Sequence, residues 1–365
     1  MKTIGSDQPS AFLIVPGEQL NGAERVVFYT AQELLRRGFA VDILIWRINR
    51  NITGQWDELS SQATIVKISK SYYFFGLLSV VWTIYRRLGN RHYTLSFSSN
   101  IILNSLLGTL KKRGLLKTTR LIVREPSSPI LRYSNISLKR LKYLFFYWLG
   151  YPFVDCIIFQ TNLMSDTFKS NLKYLGHKQT KVLSNPFDLH GIMTKKNQCE
   201  LKLGPFVIAS GRLIKEKGFF NLIEAYSKLS KNYIKKYSLV ILGEGPLEKE
   251  LKKYAVDLGL ENRVLFPGYV LNPYVYYCQA SLCVVSSIRE GFPNILLEMM
   301  SVNSNVVSTL CAGGIDEIPN IYKCDPDSAE KLNEAITNAL DKPLMESHLN
   351  YLAKHTIEAF VNEIV

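Results

Sequence analysis

A run of small and apolar residues, Ser281-Leu-Cys-Val-Val-Ser, gives way to the loop Ser-Ile-Arg-Glu290-Gly-Phe and then to Pro293-Asn294, after which a periodic apolar segment runs through Glu298 and Met300. The first run is short and valine-rich and reads as a buried strand; the proline and asparagine mark the start of a helix. Strand, loop and helix in this order commit this part of the chain to an α/β fold. Proline at a first helical position loses nothing, because that N–H has no intrahelical acceptor, so the amides of Asn294, Ile295 and Leu296 are expected to point back at the loop. With the helix dipole they form an anion site. Glu290 precedes the helix and Glu298 lies just over a turn inside it, which places a carboxylate on each side of the anion. Carboxylates beside an anion site suit hydroxyls, and phosphate flanked by hydroxyls describes a sugar nucleotide. Two glutamates eight apart also fit a solvated helix face, so the rest of the chain decides between these readings.

At 365 residues the chain is long for one core and fits two domains, both of which 47% hydrophobic residues can fill. The six cysteines (Cys156, Cys199, Cys278, Cys283, Cys311, Cys324) form no Cys-x-x-Cys pair and no histidine cluster joins them, which argues against a zinc site or a disulfide framework. The start lacks an apolar signal core, and the longest nearly uncharged apolar run, Ser71 to Tyr85, is too short to span a bilayer. A cytoplasmic protein is expected. Its charge is uneven: residues 1–190 carry 25 Lys and Arg against 11 Asp and Glu, residues 191–365 carry 19 against 20. A basic half points to a polyanion, either nucleic acid or an anionic membrane face.

From Ala11 the run Phe-Leu-Ile-Val reads as a strand, followed by a glycine-containing loop to Gly22, a helix from Ala23 to about Arg37, and a second strand from Val41 to Trp46. This βαβ unit implies a parallel sheet. Residues 72–87 and 138–148 mix aromatic and basic residues and suit amphipathic helices. Lys139, Arg140 and Lys142 fit an anionic lipid interface, while Phe145, Phe146 and Trp148 fit a protein core equally well. Leu95-Ser-Phe-Ser-Ser and Leu121-Ile-Val-Arg-Glu125 read as strands ending at the ligand edge of the sheet, and Lys181 to Asp188 as the last strand of this half, with an exposed linker from Thr194. The second half opens with a strand, Pro205 to Ser210, running into Gly211-Arg212-Leu-Ile-Lys-Glu-Lys217-Gly218. There two cations bracket a strand-to-helix turn and would meet phosphate. Gly243-Glu-Gly245-Pro246 lacks the third glycine of a dinucleotide fingerprint, since Glu248 stands in its place.

Taken together, Gly22-Ala-Glu-Arg, Asn185-Pro-x-Asp188, Gly211 to Gly218, Gly243-x-Gly-Pro, Asn262 to Val270, Glu290-x7-Glu298 and Gly313-Gly314-x-x-Glu317 resemble, in order, the motifs of glycosyltransferase family 4. Asn21 replaces the family's first glycine in the first of these. The resemblance implies the α/β GT-B fold, two Rossmann-like parallel-sheet domains facing a cleft. An acceptor-binding domain is expected over residues 1–190 and a donor-binding domain over 200–345, with a terminal helix, about 348–365, packing back on the first. It implies a retaining transferase that moves a sugar from a nucleoside diphosphate, expected to be uridine diphosphate, to a hydroxyl of a lipid-linked or saccharide acceptor in bacterial cell-surface polysaccharide synthesis. Catalysis falls to Glu290, Arg212 and Lys217. The donor falls to these residues with Gly22, Gly268, Tyr269, Val270, Gly291, Phe292, Asn294, Ile295 and Glu298, and the acceptor candidates are Asn100, Arg124 and Glu125. Neither cofactor nor metal is expected, because the phosphate charge is expected to be neutralised by Arg212, Lys217 and the amides that follow Glu290. The expected partners are the donor, the acceptor and an anionic membrane surface, with the protein peripheral on the inner face of the cell membrane and no nucleic acid bound. The rival readings are a noncatalytic sugar-nucleotide-binding subunit and a basic nucleic-acid-binding protein.

Overall fold

The computed structural model describes residues 8–20, 22–47, 56–68, 73–88, 91–132, 137–197 and 201–365. Asn21, Tyr72 and Cys199 lie outside the described residues. The chain divides into two compact units, Met1–Pro186 with Ile357–Val365, and Phe187–Thr356.

Unit 1 is built on seven strands: β1 (Ser10–Val15), β2 (Ala40–Ile45), β3 (Thr64–Lys67), β4 (His92–Ser98), β5 (Lys117–Arg124), β6 (Cys156–Phe159) and β7 (Gln179–Val182). All pair in parallel in the order β3-β2-β1-β4-β5-β6-β7. Parallel strands need helical crossovers that cover both faces, which is why β1 is buried throughout and reads as a continuous apolar run. Phe12, Ile14, Leu121 and Val123 form one core with the helices Tyr73–Thr83, Ile101–Lys112 and Leu138–Gly150. Leu13 and Ile122 form another with the helices Gly22–Arg36 and Ile357–Ile364, where Phe97 meets Phe360 edge-on at 6.1 Å.

The helices Ile101–Lys112 and Leu138–Gly150 cross at glycines: a Cβ on Gly150 would stand 1.9 Å from the Ser105 carbonyl oxygen, and one on Gly108 2.1 Å from that of Gly150. Backbone cannot yield as a side chain does, so Gly150→Ala is expected to cost about 1–3 kcal/mol by overpacking. The urea midpoint of the full chain measures it; an unchanged midpoint would mean the helices part freely.

Unit 2 repeats the plan with β8 (Phe206–Ser210), β9 (Ser238–Leu242), β10 (Val264–Gly268), β11 (Leu282–Val285), β12 (Val306–Thr309) and β13 (Tyr322–Cys324), parallel in the order β10-β9-β8-β11-β12-β13. Phe187 and Thr356 pair as neighbours where this unit begins and ends.

Four readings of the sequence need correction. The edge strands β3 and β13 were not foreseen. The last strand of unit 1 is Gln179–Val182 rather than Lys181 to Asp188, and Asp188 instead caps the helix Leu189–Lys195, accepting from the Gly191 amide at 2.8 Å. That helix takes in Thr194 and Lys195, so the linker does not start there. The tail is three short helical segments, Leu349–Leu352 and Ala353–His355 in unit 2 and Ile357–Ile364 in unit 1, rather than one helix.

Candidate functional site

The loops at the carboxyl ends of β8, β9, β10, β11 and β12 interlock through their backbones. Gly211 donates its amide to Leu242 at 2.9 Å, Leu213 to Glu244 at 2.9 Å, and Gly243 to Gly268 at 2.8 Å. The contacts are close enough to require glycine: a Cβ on Gly243 (φ 126°) would lie 2.0 Å from the Gly211 carbonyl oxygen, and one on Gly245 2.5 Å from that of Leu213. Gly245 therefore serves loop packing rather than a dinucleotide.

The β8 loop in turn locks to the β11 loop. Ile288 donates its amide to Glu216 at 2.8 Å, the Ser286 hydroxyl donates to the Lys217 carbonyl at 2.9 Å, and Gly218, with φ 64°, sits where a Cβ would strike the Ser286 carbonyl oxygen. This lock carries Lys217 to Glu290, with Nζ 2.8 Å from Oε1. The same oxygen accepts from the Ser287 hydroxyl, the Ser287 carbonyl accepts from Thr309 Oγ1 at 2.6 Å, and the Glu290 amide donates to the Cys311 carbonyl at 2.9 Å. Both partners are largely shielded, their side chains 20% and 17% exposed, so removing either one leaves a poorly solvated, uncompensated charge. Burial, helped by the charge of Glu290, pushes the Cys311 thiol up to about 12, which leaves it inert.

Arg212 is exposed and has no ion-pair partner among the described residues. Pro293 is the N-cap of the helix Asn294–Val302 rather than its first residue, and the Leu296 amide is taken by the Pro293 carbonyl at 2.9 Å. The anion donors are thereby reduced to Asn294 and Ile295, of which Ile295 has no carbonyl one turn earlier to accept its amide. Gly291 and Phe292 lead into this helix, the Phe292 side chain buried in the core. Glu298 is buried on the inner face of the helix, close enough that its charge, after burial, helps push the Tyr277 phenol far up. Gly268 (φ 82°) ends β10; Tyr269 after it is 66% exposed and Val270 packs on the core. Glu317 is exposed. Among the described residues no cluster of three His, Cys, Asp or Glu side chains is placed to hold a metal.

Unit 1 carries the remaining candidates, and three of them already have structural work. Gly22 begins its helix and is exposed. Asn100 is the N-cap of the helix Ile101–Lys112, its Oδ1 accepting from Ile102 and Leu103 at 3.1 and 3.2 Å. Arg124 and Glu125 are each 1% exposed and cannot contact an acceptor directly. Arg124 donates to the Ser99 hydroxyl at 2.9 Å and to Asn185 Oδ1, and burial pulls its guanidinium down to about 9, still charged at neutral pH. Glu125 accepts from the Tyr147 phenol at 2.7 Å and from that of Tyr151. The Gln160 amide donates to the Glu125 carbonyl at 3.1 Å and receives Asn185 Nδ2 at 3.1 Å. This network fastens the ends of β5 and β6 to the segment leaving unit 1, so Arg124 and Glu125 position backbone.

Burial pushes the Glu125 carboxyl from 4.5 up to about 7, despite the hydrogen bonds that oppose the shift. A carboxyl whose folded value lies above its unfolded one binds more proton in the native state. Its stabilisation is therefore complete below about 4.5 and is lost as the pH rises through about 7. Denaturant midpoints between pH 5 and 8 are expected to fall with rising pH and to flatten in Glu125→Gln; parallel profiles would assign the titration elsewhere.

The residues that the sequence did not single out are Ser286, Ser287, Thr309 and the Cys311 carbonyl. Only the position of the serines at the end of a strand pointed toward them.

Residues 194–356 match the family described as Glycosyl transferases group 1. Among curated proteins the chain is 32% identical over 200 residues to a Campylobacter jejuni N-acetylgalactosamine-N,N'-diacetylbacillosaminyl-diphospho-undecaprenol 4-alpha-N-acetylgalactosaminyltransferase, which covers 55% of this chain and 53% of that one. It is 32% identical over 163 residues to the lipopolysaccharide core biosynthesis glycosyltransferase LpsE of Rhizobium meliloti, 44% of this chain and 45% of that one. The chain thus spans about half the length of the curated relatives it matches. Among solved structures, HepE of Anabaena in complex with UDP superposes with a TM-score of 0.73 at 19% identity over 98% of both chains. The lipopolysaccharide outer core galactosyltransferase WaaB superposes with a TM-score of 0.72 at 15% identity over 97% of both. The two parallel sheets are those of the GT-B fold. Arg212, Lys217, Glu290 and Glu298 all fall inside the segment that matches the family Glycosyl transferases group 1.

Proposed function

We propose that the chain is a retaining glycosyltransferase that moves a sugar from a UDP-linked donor to a hydroxyl of a lipid-linked or saccharide acceptor during bacterial cell-surface polysaccharide synthesis. The observation that carries this reading is the shielded 2.8 Å contact of Lys217 with Glu290, held by backbone locks between the β8 and β11 loops beside the exposed Arg212. Arg212 and Lys217 offer preorganised positive charge to a diphosphate leaving group, with the amides at the start of the helix Asn294–Val302 adding to it. Glu290 offers a carboxylate to the hydroxyls of the transferred sugar, and its charge fixes Lys217. Glu298, one turn into the helix, suits the ribose.

The bond from the anomeric carbon to the diphosphate oxygen breaks and a bond to the acceptor oxygen forms on the same face. The acceptor's proton passes to the departing diphosphate, so no side-chain base is required, and the cationic side chains serve where a metal would otherwise neutralise phosphate. Support for the donor comes from the likeness to HepE, solved with UDP and with UDP and glucose. Support for a lipid diphosphate acceptor, and for work at the inner membrane face, comes from the diphospho-undecaprenol in the Campylobacter relative's name. No helix among the described residues is long and apolar enough to cross a membrane.

The test is thermal unfolding of the full chain with a panel of nucleoside diphosphates and their sugars. A ligand at 100 times its dissociation constant adds about 2.7 kcal/mol. UDP and at least one UDP-sugar are expected to raise the midpoint; no rise with any nucleotide would sink the reading.

A further inference from the structure

Resting on the reading of a lipid-linked acceptor, we infer that unit 1 docks on an anionic bilayer through one outward face made by the helices Tyr73–Thr83 and Leu138–Gly150. Each helix buries one side and turns apolar side chains outward on the other. On the first, Val80 is buried while Leu78 and Trp82 are 53% and 58% exposed, and Tyr85, in the π-helical turn that follows, is 61% exposed. On the second, Tyr147 is buried, yet Leu138, Leu141, Phe145 and Trp148, spaced three or four apart, are 87%, 50%, 53% and 65% exposed. The rings of Phe145 and Trp148 lie 6.3 Å apart on that outer stripe. The reading that places Phe145 and Trp148 in the core is therefore overturned, and of the three aromatics only Phe146 packs against it. Val80 and Tyr147 join the same apolar cluster, so both helices cover the same face of the sheet.

Charge selects the occupant. Residues 59–154 hold fifteen Lys and Arg and a single acidic residue, Glu125, which is buried and bound to two tyrosines. Lys139 and Lys142 flank the outer stripe of the second helix, and Arg86 is exposed beside Tyr85. A second copy of this chain would bring like charge against like charge. A nucleic acid would want flat stacking faces rather than Leu78, Leu138 and Leu141. Aromatic and aliphatic side chains ringed by cations suit the headgroup region of an anionic leaflet, where rings sit at the interface and each basic side chain adds roughly fivefold to partitioning.

The tryptophans supply the test. Of the four in the chain, Trp46 and Trp56 are buried, so a change of emission on docking reports Trp82 and Trp148. The full chain is mixed with phosphatidylcholine vesicles with and without phosphatidylglycerol, at low salt and at 1 M, where screening shortens to about 3 Å. A blue shift with co-sedimentation is expected only with the anionic vesicles at low salt. Lys139→Ala with Lys142→Ala is expected to weaken partitioning about 25-fold, at roughly fivefold each. The triple variant Trp82→Ser, Phe145→Ser, Trp148→Ser should abolish sedimentation while binding UDP as wild type does. Binding indifferent to lipid charge and salt, a triple variant that still sediments, a blue shift with single-stranded oligonucleotide instead of vesicles, or a dimer that the triple variant dissolves would each overturn the inference. Because UDP binding is read separately, loss of docking leaves the transferase reading standing. Loss of UDP binding in a wild type that still docks strikes that reading alone.

Discussion

Replacing Glu290 by glutamine is expected to lower sugar transfer about 100-fold or more, the scale of removing one preorganised polar group from a reaction centre, while UDP binds as tightly as before or more tightly. The sign on UDP follows from the geometry. Glu290 Oε1 lies 2.8 Å from Lys217 Nζ, so the neutral amide releases a cation toward diphosphate instead of removing one. Lys217→Ala and Arg212→Ala should do the reverse, each weakening UDP by the roughly 1.5–3 kcal/mol of a charge-assisted hydrogen bond, which is about 10- to 150-fold. Titration calorimetry with UDP, beside a UDP-release assay, separates the two classes. Equal loss of UDP affinity in Glu290→Gln and Lys217→Ala would show that the pair does not divide the work this way.

Gly218→Ala is expected to damage both stability and donor binding. The backbone there has φ 64°, and the added Cβ would stand 2.1 Å from the Ser286 carbonyl oxygen. The left-handed conformation costs an alanine roughly 1–2 kcal/mol and the overpacking about 1–3 more. Relief requires the β8 and β11 loops to separate, which moves Lys217 away from Glu290. The urea midpoint should fall and UDP affinity should drop with it. An alanine variant with wild-type values of both would mean that the loop lock is not what positions the pair.

The fold was legible wherever burial is total. Phe12 to Val15, Phe206 to Ala209 and Leu282 to Val285 are continuous apolar runs because parallel strands are covered on both faces, and each is a strand. Thr64–Lys67 was missed because an edge strand, half-exposed with a threonine and a lysine in four residues, carries neither a long apolar run nor a clean alternation. In the site, the glycine and charge spacing pointed to Arg212, Lys217, Glu290 and Glu298, since the first two share one strand–loop–helix unit and the last two share another. The contact between Lys217 and Glu290 joins residues 73 apart and depends on Gly218 fitting under Ser286, which no local pattern encodes. Arg124 and Glu125 read as ligands because charged residues at the end of a strand usually face solvent. Their buried partners Tyr147, Tyr151 and Asn185 come from a later helix, the turn after it and the segment leaving the unit. Pro293 marked the helix start one residue early, and its carbonyl consumed an amide assigned to the anion.

The claim that this site moves a sugar, and does more than hold a nucleotide, is tested most directly by mass spectrometry of a polyprenyl diphosphate-linked saccharide incubated with the full chain and each of a panel of UDP-sugars, with released UDP measured in parallel. One donor is expected to add a single sugar to the lipid in step with UDP release, and Glu290→Gln should suppress both. UDP binding without release from any donor, with or without the acceptor, would contradict the account and leave a sugar-nucleotide-binding subunit in its place.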